Sequence, residues 1–205
     1  MSDAIDGIDL ISTRTKFSYG LGALGKDFAC SIVYLFLMYY YTDVAGVPAA
    51  FVGTLFLVVR IIDAVSDPVM GMIVDNTRSR FGKFRPWIIL GTVINSLALL
   101  ALFSAHLFSG SQLLLFVTVT YIVWGLTYTI MDIPFWSMVP ALSARREERE
   151  RLVVWPRFFA SIAWTIVGTY GLASIAFLGK GDDGEGFLLL SGLIIIAFLA
   201  SALIT

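Results

Sequence analysis

The sequence predicts an all-α polytopic membrane protein of six transmembrane helices, and three observations carry that expectation. Of its 205 residues, 58% are hydrophobic and only 14% are charged, with a mean hydropathy of +0.86. A soluble domain holds about 45–50% apolar and about 25% charged residues, so this chain lacks the polar surface to cover a water-solvated globule. The apolar residues fall in continuous runs near the ~20 residues that a helical bilayer crossing needs, unlike the ~10-residue alternating segments of a membrane barrel. The connections between the runs alternate sharply in basic charge, as the loops of a helical membrane protein do.

Taken in order, residues 1–16 (MSDAIDGIDLISTRTK) are polar and have no basic leader followed by an apolar stretch and a cleavage site, so they read as a short cytoplasmic tail rather than a signal peptide. Six spans follow, at about 17–41, 47–74, 86–107, 112–139, 152–178 and 187–205. The fourth and fifth are long enough to cross with tilt. The tail carries Arg14 and Lys16. The second connection carries Arg78, Arg80, Lys83 and Arg85, and the fourth carries Arg145, Arg146, Arg149 and Arg151. The intervening connections carry only Lys180. Ten basic residues on one side against one on the other place the N-terminus in the cytoplasm, and an even number of spans returns the C-terminus there. The sixth run ends without a basic anchor, which leaves two expectations: a truncated unit, or a half-size one that needs a partner.

The net charge of −1 argues against a nucleic-acid partner, and the single Cys30 cannot form an internal disulfide. Gly20, Gly22 and Gly25 spell a G-x-G-x-x-G followed by Lys26. A dinucleotide fingerprint needs a preceding strand, whereas this one lies in an apolar helix, where it reads as close helix packing within a locally irregular first span. His106 reads as an interfacial residue at the external end of the third span. The mixed-sign run from Ser143 to Arg151 reads as a solvated cytoplasmic helix.

Charge inside the spans is the informative feature, because each such residue costs about 2.5–3.5 kcal/mol at a helix centre even on the lower estimates. Lys26 and Asp27 lie in the first span, Arg60, Asp63 and Asp67 in the second, Asp132 in the fourth and Arg157 near the start of the fifth. Their near-neutral sum points to mutual pairing around one polar cavity. In the second span, Asp63 and Asp67 stand one helical turn apart on one face, with Arg60 beside them. Two carboxylates so placed repel when ionised and are stabilised by a small cation or a proton, or by a salt-bridged triad with Arg60. Their oxygens suit a hard cation, and Pro68 frees backbone nearby. In the fourth span Trp124, Tyr128, Asp132 and Trp136 recur every four residues and share one side of the helix with Thr129. A carboxylate that accepts hydroxyl hydrogen bonds, flanked by rings that pack on C–H faces, suits a sugar.

The runs YGLGALGKDF, YYYTDVAG, GTLFLVVRIIDAVSDPVMG, RSRFGKFRPWI, YTIMDIPFWSMVP and PRFFAS together resemble the glycoside–pentoside–hexuronide:cation symporters of the major facilitator superfamily, and within them the melibiose permease branch. The resemblance covers Lys16 to Thr205 and corresponds to the N-terminal six-helix half of a twelve-helix transporter, with the C-terminal bundle absent. It implies a bacterial inner-membrane transporter that is not an enzyme, has no cofactor beyond a coupling Na⁺, Li⁺ or H⁺, and carries a galactoside-like or related sugar. It implies a cation site at Asp63, Asp67 and Thr129, with Arg60 and Ser66 as neighbours; Ser66 stands where that branch has Asn. It implies a sugar site at Asp27 and Asp132 with Lys26, Trp124, Tyr128, Trp136 and Arg157. The stretch Gly71–Arg85, with Asp75, Arg78, Arg80 and Lys83, resembles the superfamily's cytoplasmic gate loop. The expected partners are a sugar, the lipid bilayer and a complementary C-terminal half. The rival readings are a half-size carrier that pairs with a second copy, and a non-transporting partner subunit.

Overall fold

In this computed structural model the described residues, 11–204, form six long α-helices and no strand. The greater part of the expected tail, residues 1–10, and Thr205 at the end of the sixth span lie outside the described residues. The helices are α1 (Thr13–Tyr39), α2 (Ala49–Asn76), α3 (Arg85–Leu102), α4 (Gly110–Leu142), α5 (Arg146–Gly179) and α6 (Asp183–Ile204). All six are long and apolar enough to cross a membrane.

Their ends follow local chemistry more than hydropathy, and several boundaries therefore differ from those read in the sequence. The expected tail already turns helical at Thr13, where the Ser12 hydroxyl accepts a hydrogen bond from the Thr15 amide at 3.1 Å and caps α1. The first span also runs past its expected end. Tyr40–Val44 form a π-helical turn, closed by the Ala45 amide donating to the Tyr40 carbonyl at 2.9 Å. The third span stops short at Leu102 and resumes as a single 3₁₀ turn, Ala105–Leu107. Pro86 sits in the first turn of α3, where its missing N–H costs nothing. The fifth helix starts at Arg146, because Glu147 and Glu148 favour its first turn and Arg146 bonds Glu150 at 2.8 Å one turn on.

That charged start is not the wholly solvated helix expected from the sequence. Glu148 is buried, held by the Lys16 ammonium at 2.8 Å and the Arg151 guanidinium at 3.3 Å. His106, expected at the interface, has its Nδ1 2.8 Å from the Tyr40 hydroxyl, which itself donates to the Phe103 carbonyl at 2.7 Å.

The bundle is organised around α1, which packs most extensively on α5 and α6, while α3 packs on α4. The glycines of α1 serve this packing within a regular helix, in place of the irregular span expected. A side chain at Gly20 would collide with Phe159, and one at Gly25 with Ser201 and the Ala197 carbonyl. By contrast α2 touches chiefly α4. Only 17% of its apolar window is buried, against 61% for α1.

Candidate functional site

Two carboxylate centres lie along the facing sides of α1, α2 and α4. The first forms where α1 meets α4. The Lys26 ammonium is 2.5 Å from Asp132 Oδ1, and Lys26 is 4% exposed. Three rings of α4 enclose that ammonium: Phe135 at 4.8 Å, Trp136 at 5.0 Å and Tyr128 at 6.0 Å from their centroids. The four-residue stripe of α4 therefore does face α1. Asp27 points elsewhere, toward α5, where Trp164 Nε1 donates to its Oδ1 at 3.1 Å.

The second centre lies between α2 and α4. Asp67 Oδ1 accepts the Thr129 hydroxyl at 2.9 Å. Asp63 Oδ2 is 3.2 Å from Arg60 Nη1, one turn back on the same helix. The other oxygen, Asp63 Oδ1, is buried and has no hydrogen-bond partner among the described residues. Gly125 makes room for it: a Cβ there would come 3.3 Å from Oδ1 and 3.1 Å from Val59. Pro68 has no amide hydrogen, so the Ala64 carbonyl, four residues earlier, lacks its helical donor beside the same acids. Arg60 meets Asp63 alone rather than both acids, and its second nitrogen donates to the Tyr34 hydroxyl at 2.6 Å.

This arrangement can hold a cation through oxygen atoms. No cluster of three His, Cys, Asp or Glu side chains with ligating geometry occurs among the described residues. The available donors are two carboxylates, the Thr129 hydroxyl and freed backbone carbonyl, which suits a hard monovalent ion or a proton. The Ser66 hydroxyl turns back to donate to the Asp63 carbonyl at 3.3 Å.

Tyr34 and Trp164 went unread in the sequence, yet they join the two centres. The Tyr34 ring packs under the Arg60 guanidinium at 5.1 Å and lies 6.1 Å from Trp164 and 6.3 Å from Trp124. Each stands seven residues after a residue already singled out, Tyr34 after Asp27 and Trp164 after Arg157. Two turns of helix bring such residues back to one face. Trp124 is buried between Tyr121 and Tyr128, stacked at 6.0 and 5.5 Å, so its ring faces are already covered and its Nε1 has no partner among the described residues. Asn95 Nδ2 fixes that turn of α4 by donating to the Trp124 carbonyl and the Thr127 hydroxyl, both at 2.9 Å. Arg157 is exposed and forms no ion pair among the described residues, so it is not brought to either centre.

The expected gate loop is braced at both ends. Lys83 and Asp75 pair at 2.9 Å, and Trp87 Nε1 donates to Thr77 at 2.8 Å. Gly82 takes a φ of +91°, which a side chain would strain, and Gly71 borders open space. Arg78, Arg80 and Arg85 are exposed.

A family profile described as MFS/sugar transport protein matches residues 18–205. Among curated relatives, an inner membrane symporter of Escherichia coli (strain K12) is 34% identical over 175 residues, 85% of this chain and 38% of the relative. The isoprimeverose transporter of Lactiplantibacillus pentosus is 34% identical over 181 residues, 86% of this chain and 37% of the relative. A glucuronide carrier protein homolog of Escherichia coli (strain K12) is 39% identical over 148 residues, 69% of this chain and 31% of the relative. The chain thus spans well under half the length of these relatives.

Proposed function

Because the chain belongs to the MFS/sugar transport protein family, we propose that it forms the ligand-binding bundle of a cation-coupled sugar symporter. Family and fold together make it a multi-pass membrane protein and a transporter rather than an enzyme. The finer reading is a symporter of the melibiose permease type, taking a galactoside-like sugar with Na⁺, Li⁺ or H⁺, with its N-terminus in the cytoplasm.

The observation that carries this reading is the unpartnered, buried Asp63 Oδ1. An orphaned carboxylate oxygen in a low-dielectric site is costly, and it lies beside a second acid and a hydroxyl. A monovalent cation or a proton removes that cost. At the other centre Lys26 already neutralises Asp132, which leaves Asp132 as a hydrogen-bond acceptor for sugar hydroxyls, with the half-buried Trp136 as the packing ring.

Coupling follows from the chain of contacts. A cation that draws Asp63 toward Asp67 competes with Arg60, and Arg60 is tied to Tyr34, whose ring leads to Trp164 and thence to Asp27. Cation binding would reset the orientation of Asp27, and by linkage the sugar raises cation affinity by the same factor. The relatives continue well beyond the matched region, which favours a complementary bundle over a second copy as the opposite wall of the cavity. Transport then proceeds by rocking of the two halves about sites near the bilayer midplane.

Counterflow of a labelled galactoside in proteoliposomes, with the complementary half co-expressed, tests the proposal. Na⁺ should stimulate counterflow by the wild-type chain and leave Asp63→Asn unaffected. Equal stimulation of both would remove the cation assignment.

A further inference from the structure

Below the expected gate loop, at the basic end of the bundle, lies a groove to which neither carboxylate centre contributes. On the outward side of α3, this groove of about 710 Å³ runs between Arg80 and Arg85 at its mouth and Pro86, Ile89, Leu90 and Val93 along its floor. Neither arginine is in an ion pair among the described residues. The Arg80 guanidinium rests on the Phe81 ring at 4.7 Å, which holds it at the rim. Arg85 also borders a cavity of about 540 Å³ behind it, shared with Arg14 and Lys83. It borders too a narrow apolar crevice of about 130 Å³ against Ala202 and Leu203 of α6.

We propose that this groove binds an anionic glycerophospholipid, with its phosphate between Arg80 and Arg85 and an acyl chain along Ile89, Leu90 and Val93. The occupant must present negative charge at the membrane surface and, within the same molecule, an apolar chain that descends along a transmembrane helix. Ile89, Leu90 and Val93 are each 45–47% exposed, and the same face continues outward through Leu97 and Leu100, so the floor runs on into hydrocarbon. Basic pockets beside membrane helices select anionic headgroups on this principle. A free anion would use only the mouth, and a packed helix would use only the floor. The arginines fork to match phosphate oxygens in a way that lysines do not.

Native mass spectrometry of the chain in mild detergent, titrated with phosphatidylglycerol or phosphatidylethanolamine, tests the proposal. Phosphatidylglycerol should bind in a saturable first step at lower concentration than phosphatidylethanolamine. Each arginine near a lipid surface contributes roughly a factor of five, so Arg80→Gln with Arg85→Gln should weaken that step about 25-fold. Arg78→Gln, in the same loop but outside the groove, should leave it unchanged. Inorganic phosphate at matched concentration should not displace the lipid. The single variants, each losing about fivefold, keep the test intact if the double variant loses helical circular dichroism. The proposal is overturned by equal binding of the two lipids, by an unchanged double variant, by an equal loss in Arg78→Gln, by displacement with phosphate, or by dimers that form in place of the lipid adduct.

Discussion

The two carboxylate centres are built from similar residues and are left in opposite electrostatic states. Asp132 meets an ammonium carried by the chain itself, buried and ringed by three aromatic side chains. Asp63 meets a guanidinium that is half exposed and bonds one oxygen only, while the second oxygen is buried without a partner. The position of each helix explains the difference. The first centre lies where α1 packs into the middle of the bundle, and a permanent internal counter-charge is affordable there only in close geometry. The second lies on α2, the least enclosed helix, whose packing is mainly against α4. One centre is closed by the fold; the other is completed from outside.

The largest expected effect comes from opening the closed centre. Lys26→Met leaves the partly buried Asp132 without its counter-charge, and breaking a pair with one fully buried partner costs about 3 kcal/mol, the lower end for buried pairs. Thermal unfolding in detergent should show a large fall in midpoint, and adding Asp132→Asn should recover most of it. If the double variant stays as unstable as Lys26→Met, Lys26 acts through packing and the contrast between the centres weakens.

Narrowing the open centre should cost less. Gly125→Ala places a methyl group at the approach to Asp63 Oδ1, and overpacking of this kind costs about 1–3 kcal/mol. Sodium affinity should fall about tenfold, since about 1.4 kcal/mol corresponds to one decade, with a smaller fall in unfolding midpoint than Lys26→Met shows. A variant that binds sodium as well as wild type would show that the ion does not use Oδ1.

The link between the centres comes next. Trp164→Phe keeps the ring and removes the donor to Asp27, a loss of about 1.5 kcal/mol, the lower end for a hydrogen bond to a charged group. Sodium-dependent enhancement of sugar binding should shrink while sodium binding itself persists. The smallest effect belongs to the exposed pair at the loop: Asp75→Asn should change the unfolding free energy by less than about 1 kcal/mol.

Much of the fold was legible because hydrocarbon imposes simple rules. Apolar runs marked the six helices, and basic connections marked one end of the bundle. The boundaries were less legible where charged residues carry on a helix beyond its apolar part, as Arg146–Arg151 do. The π turn at Tyr40–Val44 has no periodic signature at all. In the site, the i, i+4 spacing of Asp63 and Asp67 and the four-residue stripe of α4 identified the facing surfaces, because they depend on one helix at a time. Tyr34 and Trp164 escaped because their meaning depends on partners from other helices, and an aromatic residue on a membrane helix otherwise reads as lipid-facing. Trp124 shows the reverse case: its spacing suggested an open stacking ring, while its neighbours one turn away on the same helix cover both faces.

Sodium titration of the purified chain by isothermal calorimetry, comparing Asp67→Asn with Asp132→Asn, bears most directly on the contrast between the centres. The account predicts saturable sodium binding in the wild type, its retention in Asp132→Asn and its loss in Asp67→Asn. Retention in Asp67→Asn, or loss in Asp132→Asn, would contradict it.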